Sequence, residues 1–429
     1  MNEAEDRRIR QIFESASQAF ANGRGEAAER MLQQAEAEAP AHPLVQNRIA
    51  GRMLMSGDAA GAARVLELAV KSEPSNPMLW LNLAMALREL KRTDDELAAL
   101  DKVLGIDPMH VRAHLQKAAL HENRGEPRLA AMSYRTAVRL VPEGFEPPPQ
   151  LRAILQHARD AVAANDVALE VFLEDRIKVL REKYSGESLG RFDRCLDTLL
   201  RKRKIFTHQP TFMYFPYLPS IEFYDRADFP WLDTIEAATD DIREELLGVL
   251  ADGPESIVPY VSHPEGAAGI FKELNNSRRW GIYYLWNQGV PDKAHLERCP
   301  RTAKALEAWP KCDVPGSSPS AVFSILDAKT RIPPHSGVSN TRLLVHLPLI
   351  IPPGCRLRCG AETREWIPGT AFIFDDTIEH EAWNDSDVPR AVMIFDIWNP
   401  LLSQAERDLV RATTTGVGEY YGIQTYDGN

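Results

Sequence analysis

The sequence predicts a multidomain α + β chain, with an N-terminal α-helical solenoid and a C-terminal antiparallel β domain of the small-barrel kind. Two observations carry this. Proline recurs at 34-residue intervals through the first third, and four apolar runs cut by turn residues crowd the segment His335 to Trp398. The 429 residues are 44% hydrophobic and 26% charged, a globular composition long enough for two or three domains.

The solenoid rests on Pro40, Pro74, Pro108 and Pro142. Their spacing of 34 is the period of tetratricopeptide repeats, each a helical hairpin that buries its apolar side only against its neighbours. At one fixed offset before the prolines stand Ala28, Ala62 and Ala130, with Glu96 the exception; at another stand Ala35, Ala69 and Ala137, with Val103 the exception. Small residues there let paired helices approach closely, and each proline ends the second helix of its pair. Trp80, Leu83 and Leu87 fit the large positions of the third repeat's first helix. We expect the array over residues 1–142, with a concave face that either binds a polypeptide or only braces the next domain.

EGFEPPPQ, residues 143–150, breaks the pattern, and apolar spacings of three and four then predict helix to about residue 204, interrupted at Ser185-Gly186. We expect a helical connector or cap over 143–207. The cluster Arg201-Lys202-Arg203-Lys204 reads as a solvated helix end. THQPTFMYFPYLPS is aromatic and Pro-rich and marks the boundary to a domain over 208–429. WLDTIEAATDDIREELLGVL, 231–250, predicts one amphipathic helix packed outside the barrel. After Pro400 a helical stretch, LLSQAERDLVRATT, precedes a tail without pattern.

Between these lie the strands. AVFSILD, TRLLVHLPLI, CRLRC, TAFIF and RAVMIFDIW are β-branched or aromatic runs bounded by Gly, Pro and Asp. His335 precedes TRLLVHLPLI, and His380 follows TAFIFDDTIE. Strand ends distant in sequence can meet in an antiparallel barrel, which makes the two a candidate metal pair. Strand alternation puts Arg342, Leu344 and His346 on one face, with Leu343, Val345 and Leu347 on the other. Arg390, Val392, Ile394 and Asp396 share a face, as do Val322, Ser324 and Leu326. A buried arginine needs an anion, and Arg390 with the Ser324 hydroxyl would hold a carboxylate. The competing partners for Arg390 are Asp385 and Asp387 on the preceding turn. Asp375 and Asp376 are turn residues that could also reach a metal or its water.

Net charge is −11, so the strongly basic surface typical of nucleic-acid binding is absent. No apolar run reaches the length of a membrane span, and the start MNEAEDRRIR lacks the apolar core of a secretory signal, so the expected compartment is the cytoplasm. Five cysteines (Cys195, Cys299, Cys312, Cys355 and Cys359) make no disulfide framework in a chain this long. Neither a Walker A nor a GxSxG motif is present.

The segment from about Phe212 to Ser403 resembles the aspartyl/asparaginyl β-hydroxylases, Fe(II)- and 2-oxoglutarate-dependent oxygenases with a double-stranded β-helix (a cupin-like jelly roll). The residues that carry the likeness are FPYLPSIEFYDRADFPWL, YYLWNQG, HSGVSNTRLLVHL, FDDTIEHEAWND and IFDIWNP. The resemblance implies iron ligation by His335 and His380, with Arg390 and Ser324 on the distal carboxylate of 2-oxoglutarate and His346 near its other carboxylate. It implies substrate contacts from Arg342, Trp286 and Leu344. Gly337 stands where the usual two-His-one-carboxylate triad has its acid, as in the family itself, where water is thought to serve. Leu344 departs from the arginine of the familiar animal members. The implied activity uses Fe(II), 2-oxoglutarate and O2 to hydroxylate an Asp- or Asn-type side chain of a peptide or protein, held partly by the tetratricopeptide groove. A small-molecule or lipid-headgroup substrate, a cupin metalloenzyme that does not use 2-oxoglutarate, and a repeat scaffold with an inactive barrel are the alternatives.

Overall fold

The computed structural model describes residues 3–142, 144–264 and 269–422. The chain divides into two compact units, Met1–Ser188 and Leu189–Asn429. The division falls inside the segment expected as a single connector. Its first helix belongs to the first unit and its second to the other.

The first unit is built of helices α1 (Glu3–Ala21), α2 (Gly25–Glu38), α3 (Pro43–Met55), α4 (Ala59–Ser72), α5 (Pro77–Glu89), α6 (Thr93–Ile106), α7 (Val111–Asn123), α8 (Pro127–Leu140) and α9 (Pro149–Lys183). The second helices of the hairpins begin at 25, 59, 93 and 127, a constant step of 34. Each ends shortly before one of the repeating prolines, which lack the N–H to continue it. Helix starts are equally local in cause. Asp58 accepts a hydrogen bond from the Gly61 N–H at 2.8 Å, and Asn76 from the Met78 N–H at 3.1 Å, while Pro43, Pro77 and Pro127 occupy first-turn positions. The small residues at both repeat offsets are buried in the hairpin seams, and so are the two exceptions, Glu96 and Val103. The long α9 packs along α8, closing the stack with Leu155 and Ala158.

In the second unit α10 (Gly190–Leu199) precedes an extended segment, then α11 (Leu232–Ala237) and α12 (Thr239–Ala251). The single helix expected over 231–250 is therefore two, divided at Ala238, where the Thr239 hydroxyl donates to the Glu236 carbonyl at 2.6 Å. The strands are β1 (Val258–Pro259), β2 (Trp280–Asn287), β3 (Val290–Pro291), β4 (Ala321–Leu326), β5 (Thr330–His335), β6 (Arg342–Ile350), β7 (Cys355–Cys359), β8 (Glu362–Glu365), β9 (Phe372–Phe374), β10 (His380–Asn384) and β11 (Arg390–Trp398). They form two antiparallel sheets. The larger runs β1-β2-β4-β11-β6-β9, with β3 on β2, and the smaller runs β5-β10-β7-β8. From β4 on, the chain passes back and forth between them, the jelly-roll winding.

Alternation gives the larger sheet two apolar faces. Phe323, Leu343, Val345, Met393, Phe395 and Ile397 pack outward against Ile235, Ile242, Leu246 and Val249 of α11 and α12. Val392, Leu326, Phe372 and Phe374 face inward, toward Ile332, Leu357 and Ala382 of the smaller sheet. The tail differs from expectation. After a Ser403–Glu406 capping box, α13 (Gln404–Tyr421) runs through Gly416 and Gly418, because Val410, Thr414 and Gly418 are buried on its inner side. No helix among the described residues is long and apolar enough to cross a membrane.

One buried acid tests the repeat logic. Burial raises the pKa of Glu96, and Arg88 only partly opposes this. A raised carboxyl pKa favours folding most below the ordinary value of 4.5 and loses that advantage as pH rises through the folded value. Glu96→Gln should therefore stabilise the helical unit by about 1 kcal/mol near pH 7.5 and by much less near pH 4. Thermal unfolding followed by helical circular dichroism at both pH values measures it.

Candidate active site

Strand pairing brings the two histidines together. His335 and His380 are direct partners in the β5–β10 ladder, and their ring centroids lie 4.0 Å apart. The Nδ1 of His335 is 2.7 Å from the Pro333 carbonyl, and that of His380 is 3.1 Å from the Ile378 carbonyl. A carbonyl only accepts, so each Nδ1 carries the proton and each Nε2 keeps its lone pair. Burial lowers both pKa values, that of His380 further because His335 lies against it. Two neutral imidazoles with backbone-anchored rings could hold a metal. Among the described residues no three or more His, Cys, Asp or Glu side chains cluster as a complete metal site.

Arg390 lies deeper on the inward face, 1% exposed. Its Nε and Nη1 have no protein partner, and its guanidinium stacks 4.6 Å from the Trp366 ring centre. Burial lowers its pKa to about 10, which still leaves it charged at neutral pH. The turn acids expected as its competitors pair elsewhere, Asp385 with Arg356 at 2.7 Å and Asp387 with Lys329 at 3.0 Å. On neighbouring β4 the Ser324 hydroxyl accepts the Trp280 Nε1–H at 3.2 Å, which leaves its own proton to donate. His346, on the other side of β11, is buried between Trp366, Phe372 and Phe374, with Nδ1 unpartnered. Burial, and then the Arg390 charge, holds it well below the usual histidine range and neutral.

Gly337 and Asp376 occupy the same small space. A Cβ on Gly337 would fall on the Asp376 carboxylate, and the Gly337 N–H donates to the Asp376 carbonyl at 2.6 Å. Asp376 lines the cavity with Oδ1 unpartnered, and burial pushes its pKa up to about 7. Asp375 points the other way. It accepts from the Thr377 N–H and hydroxyl and sits 3.0 Å from His208. His208 starts a strap along both histidine loops. The Gln209 N–H donates to the Thr377 carbonyl at 2.7 Å, Thr211 to Gly337 at 3.0 Å and Phe212 to Val338 at 3.0 Å.

Next to the histidines opens a cavity of about 680 Å³ that includes Arg342, Leu344, Asp376 and Asp396. Arg342 Nη1 donates to Asp396 Oδ2 at 3.1 Å. Trp286, expected to line the site, does not. A bulge between Tyr284 and Trp286 turns it to the outward face, edge-on to Trp309 with Lys311 above. The aromatics at the cavity include Tyr260, Phe271, Trp280 and Tyr284, with Tyr260 stacked on Trp280 at 3.9 Å. Sequence reasoning missed them. Alternation from Ser324 across to its β2 partner Ile282 was the available signal, since Trp280 and Tyr284 lie two residues to either side. All five cysteines are free, and the two on β7 are buried bystanders.

Residues 236–400 match the family Aspartyl/Asparaginyl beta-hydroxylase. The Aspartyl/asparaginyl beta-hydroxylase of Homo sapiens is 36% identical over 147 residues, which are 33% of this chain and 19% of that protein. The Ornithine lipid ester-linked acyl 2-hydroxylase of Rhizobium tropici is 36% identical over 185 residues, 42% of this chain and 62% of that one. The chain thus spans from about a fifth to about three fifths of these relatives' lengths. Among solved structures, a thermophilic TPR protein of Thermus thermophilus aligns with 42% of this chain and 97% of its own, at 22% identity and a TM-score of 0.30.

Because the Asp376 carboxylate fills the space beside Gly337, Gly337→Ala should destabilise the second unit by about 1–3 kcal/mol, the usual range for overpacking. In an Asp376→Ala background the same change should cost much less. A double-mutant cycle on unfolding midpoints checks the coupling.

Proposed function

We propose that this chain, whose residues 236–400 match the Aspartyl/Asparaginyl beta-hydroxylase family, is an Fe(II)- and 2-oxoglutarate-dependent dioxygenase that hydroxylates an Asp- or Asn-type side chain of a peptide or protein. The observation that carries the reading is the buried guanidinium of Arg390 on the larger sheet, with Nε and Nη1 unpartnered among the described residues, in the same jelly roll whose smaller sheet pairs two neutral histidines. An unpaired buried cation asks for an anion, and free imidazole Nε2 atoms ask for a metal. A dicarboxylate that chelates one and reaches the other meets both demands.

In this reading His335 and His380 hold the iron, and Asp376, which takes the room a carboxylate-bearing side chain at 337 would need, offers its unpartnered oxygen to the coordination sphere. Arg390 and the Ser324 hydroxyl hold the distal carboxylate, Trp366 and Phe372 exclude water, and neutral His346 can donate or accept at the other end. When bound, iron and 2-oxoglutarate supply the oxidising chemistry: one O2 converts 2-oxoglutarate to succinate and CO2 and a substrate C–H to C–OH. The protein's part is placement and the exclusion of water.

The helical array is assigned to holding polypeptide. A cavity of about 340 Å³ there includes Leu54, Met55, Asn82, Met85 and Arg88. The Asn82 amide donates to Asn47 at 2.7 Å, a mixed apolar and amide surface suited to an extended chain. The second reading is a lipid substrate. It is favoured by the Rhizobium tropici protein, whose name specifies an ester-linked acyl chain and which matches over more of its length than the human one.

Iron-dependent succinate release from 2-oxoglutarate tests the class, and a +16 Da product among host peptides or lipids separates the two readings. Arg390→Met should weaken 2-oxoglutarate binding by about 2–4 kcal/mol, as when one member of a desolvated charged pair is removed. Ser324→Ala should cost roughly 1 kcal/mol, the worth of a neutral donor. Titration calorimetry with a redox-inert metal measures both. Equal affinity of Arg390→Met and wild type would remove the anchor.

A further inference from the structure

We propose that Asp396 sets the charge of the substrate cavity by cancelling Arg342, so that the group presented to the histidine pair is an uncharged carbonyl derivative, a carboxamide or ester, and not a carboxylate. This rests on the hydroxylase reading and narrows its substrate.

The cavity's charged lining residues, among those described, are Arg342, Asp376 and Asp396, with titratable His263 also in the wall. Arg342 is the only permanent cation of that set, and it is committed. Its Nη1 lies on Asp396 Oδ2, which also takes the Ser320 N–H at 3.2 Å. The Asp396 backbone is pinned by the Trp309 Nε1–H on its carbonyl at 2.7 Å, and the residue is 1% exposed. Its carboxylate is held on Arg342 by the Ser320 N–H and by burial. Leu344, the Cα partner of Asp396 across the ladder, shares that face and brings no charge.

A carboxylate entering here would compete with Asp396 for one guanidinium and lie near two buried acids, losing water without gaining a cation. A carboxamide or ester adds no charge. Its carbonyl can use the Arg342 Nε–H, which has no partner in the protein. Asn287, Ser317 and Ser336 complete a polar but uncharged surround.

The test uses the full chain loaded with Zn(II) and 2-oxoglutarate, and two probes, the N-acetyl, N-methylamide derivatives of asparagine and aspartate. Ligand-observed NMR at pH 7.5 should show the asparagine probe bound at least about tenfold more tightly, the penalty of one misplaced charge. Asp396→Asn, which frees Arg342, should erase or invert that ratio through a gain for the aspartate probe. Leu344→Arg, which adds an unpaired cation on the same face, should raise aspartate-probe affinity by about tenfold, and it keeps the test open if Asp396→Asn does not fold. A wild-type preference for aspartate, no binding of either probe, or an unchanged ratio in a folded Asp396→Asn overturns the proposal. Iron-dependent 2-oxoglutarate consumption without probe is measured in parallel. Its absence sinks the hydroxylase reading, whereas its presence with a wrong probe ratio sinks only this inference.

Discussion

The second unit is organised around a charge that ought not to be buried. Taking a guanidinium out of water costs several kcal/mol, and among the described residues no carboxylate pairs with Arg390 to offset it. The Trp366 ring returns about 0.5–2 kcal/mol at most. In the proposed reading the distal carboxylate of 2-oxoglutarate meets the remaining demand. β4 and β6 flank β11 and bring Ser324 and His346 to the same face. The Arg390 charge helps to keep His346 neutral, so the pocket holds one fixed cation and not two. The outward face of the same sheet is wholly apolar and clamped by α11 and α12, which gives the central strands a packed support.

What was legible in the sequence was whatever depends on spacing or alternation. A 34-residue period survives substitution at single sites, so Glu96 and Val103 did not hide the repeat. The inward set Arg342, Leu344 and His346 follows from period two along an unbroken strand, as does the set beginning at Arg390. Where alternation breaks, reading fails. The bulge after Tyr284 sends Trp286 outward, and no local residue type announces it. Tyr260 and Trp366 were illegible for a related reason, since one reaches the site from outside the His335–Trp398 core and the other from a turn within it, whereas Trp280 could be found only through the register of β2 on β4. The glycines at 416 and 418 looked like the end of helical pattern, yet tertiary packing of their neighbours overrides weak propensity.

Asp375 and Asp376 show how finely a turn can divide labour. Both are fully or nearly fully buried, and sequence offers no way to choose between them. The choice is made by partners. Thr377 and His208 claim Asp375, and with it the strap that follows His208. Asp376 is left facing the cavity.

That division also accounts for Gly337. In a triad with its acid two residues after the first histidine, one loop must place both ligands. Here the loop after His335 and the turn before His380 are tied by the Gly337–Asp376 hydrogen bond, and the strap from Gln209 to Phe212 bonds to both. The backbone therefore ties the loop after His335 to the turn that carries Asp376 and leads to His380. Once Asp376 occupies the space, any Cβ at 337 clashes with it. The glycine follows from the room that the Asp376 carboxylate takes, a constraint between two loops that the one-dimensional sequence does not display.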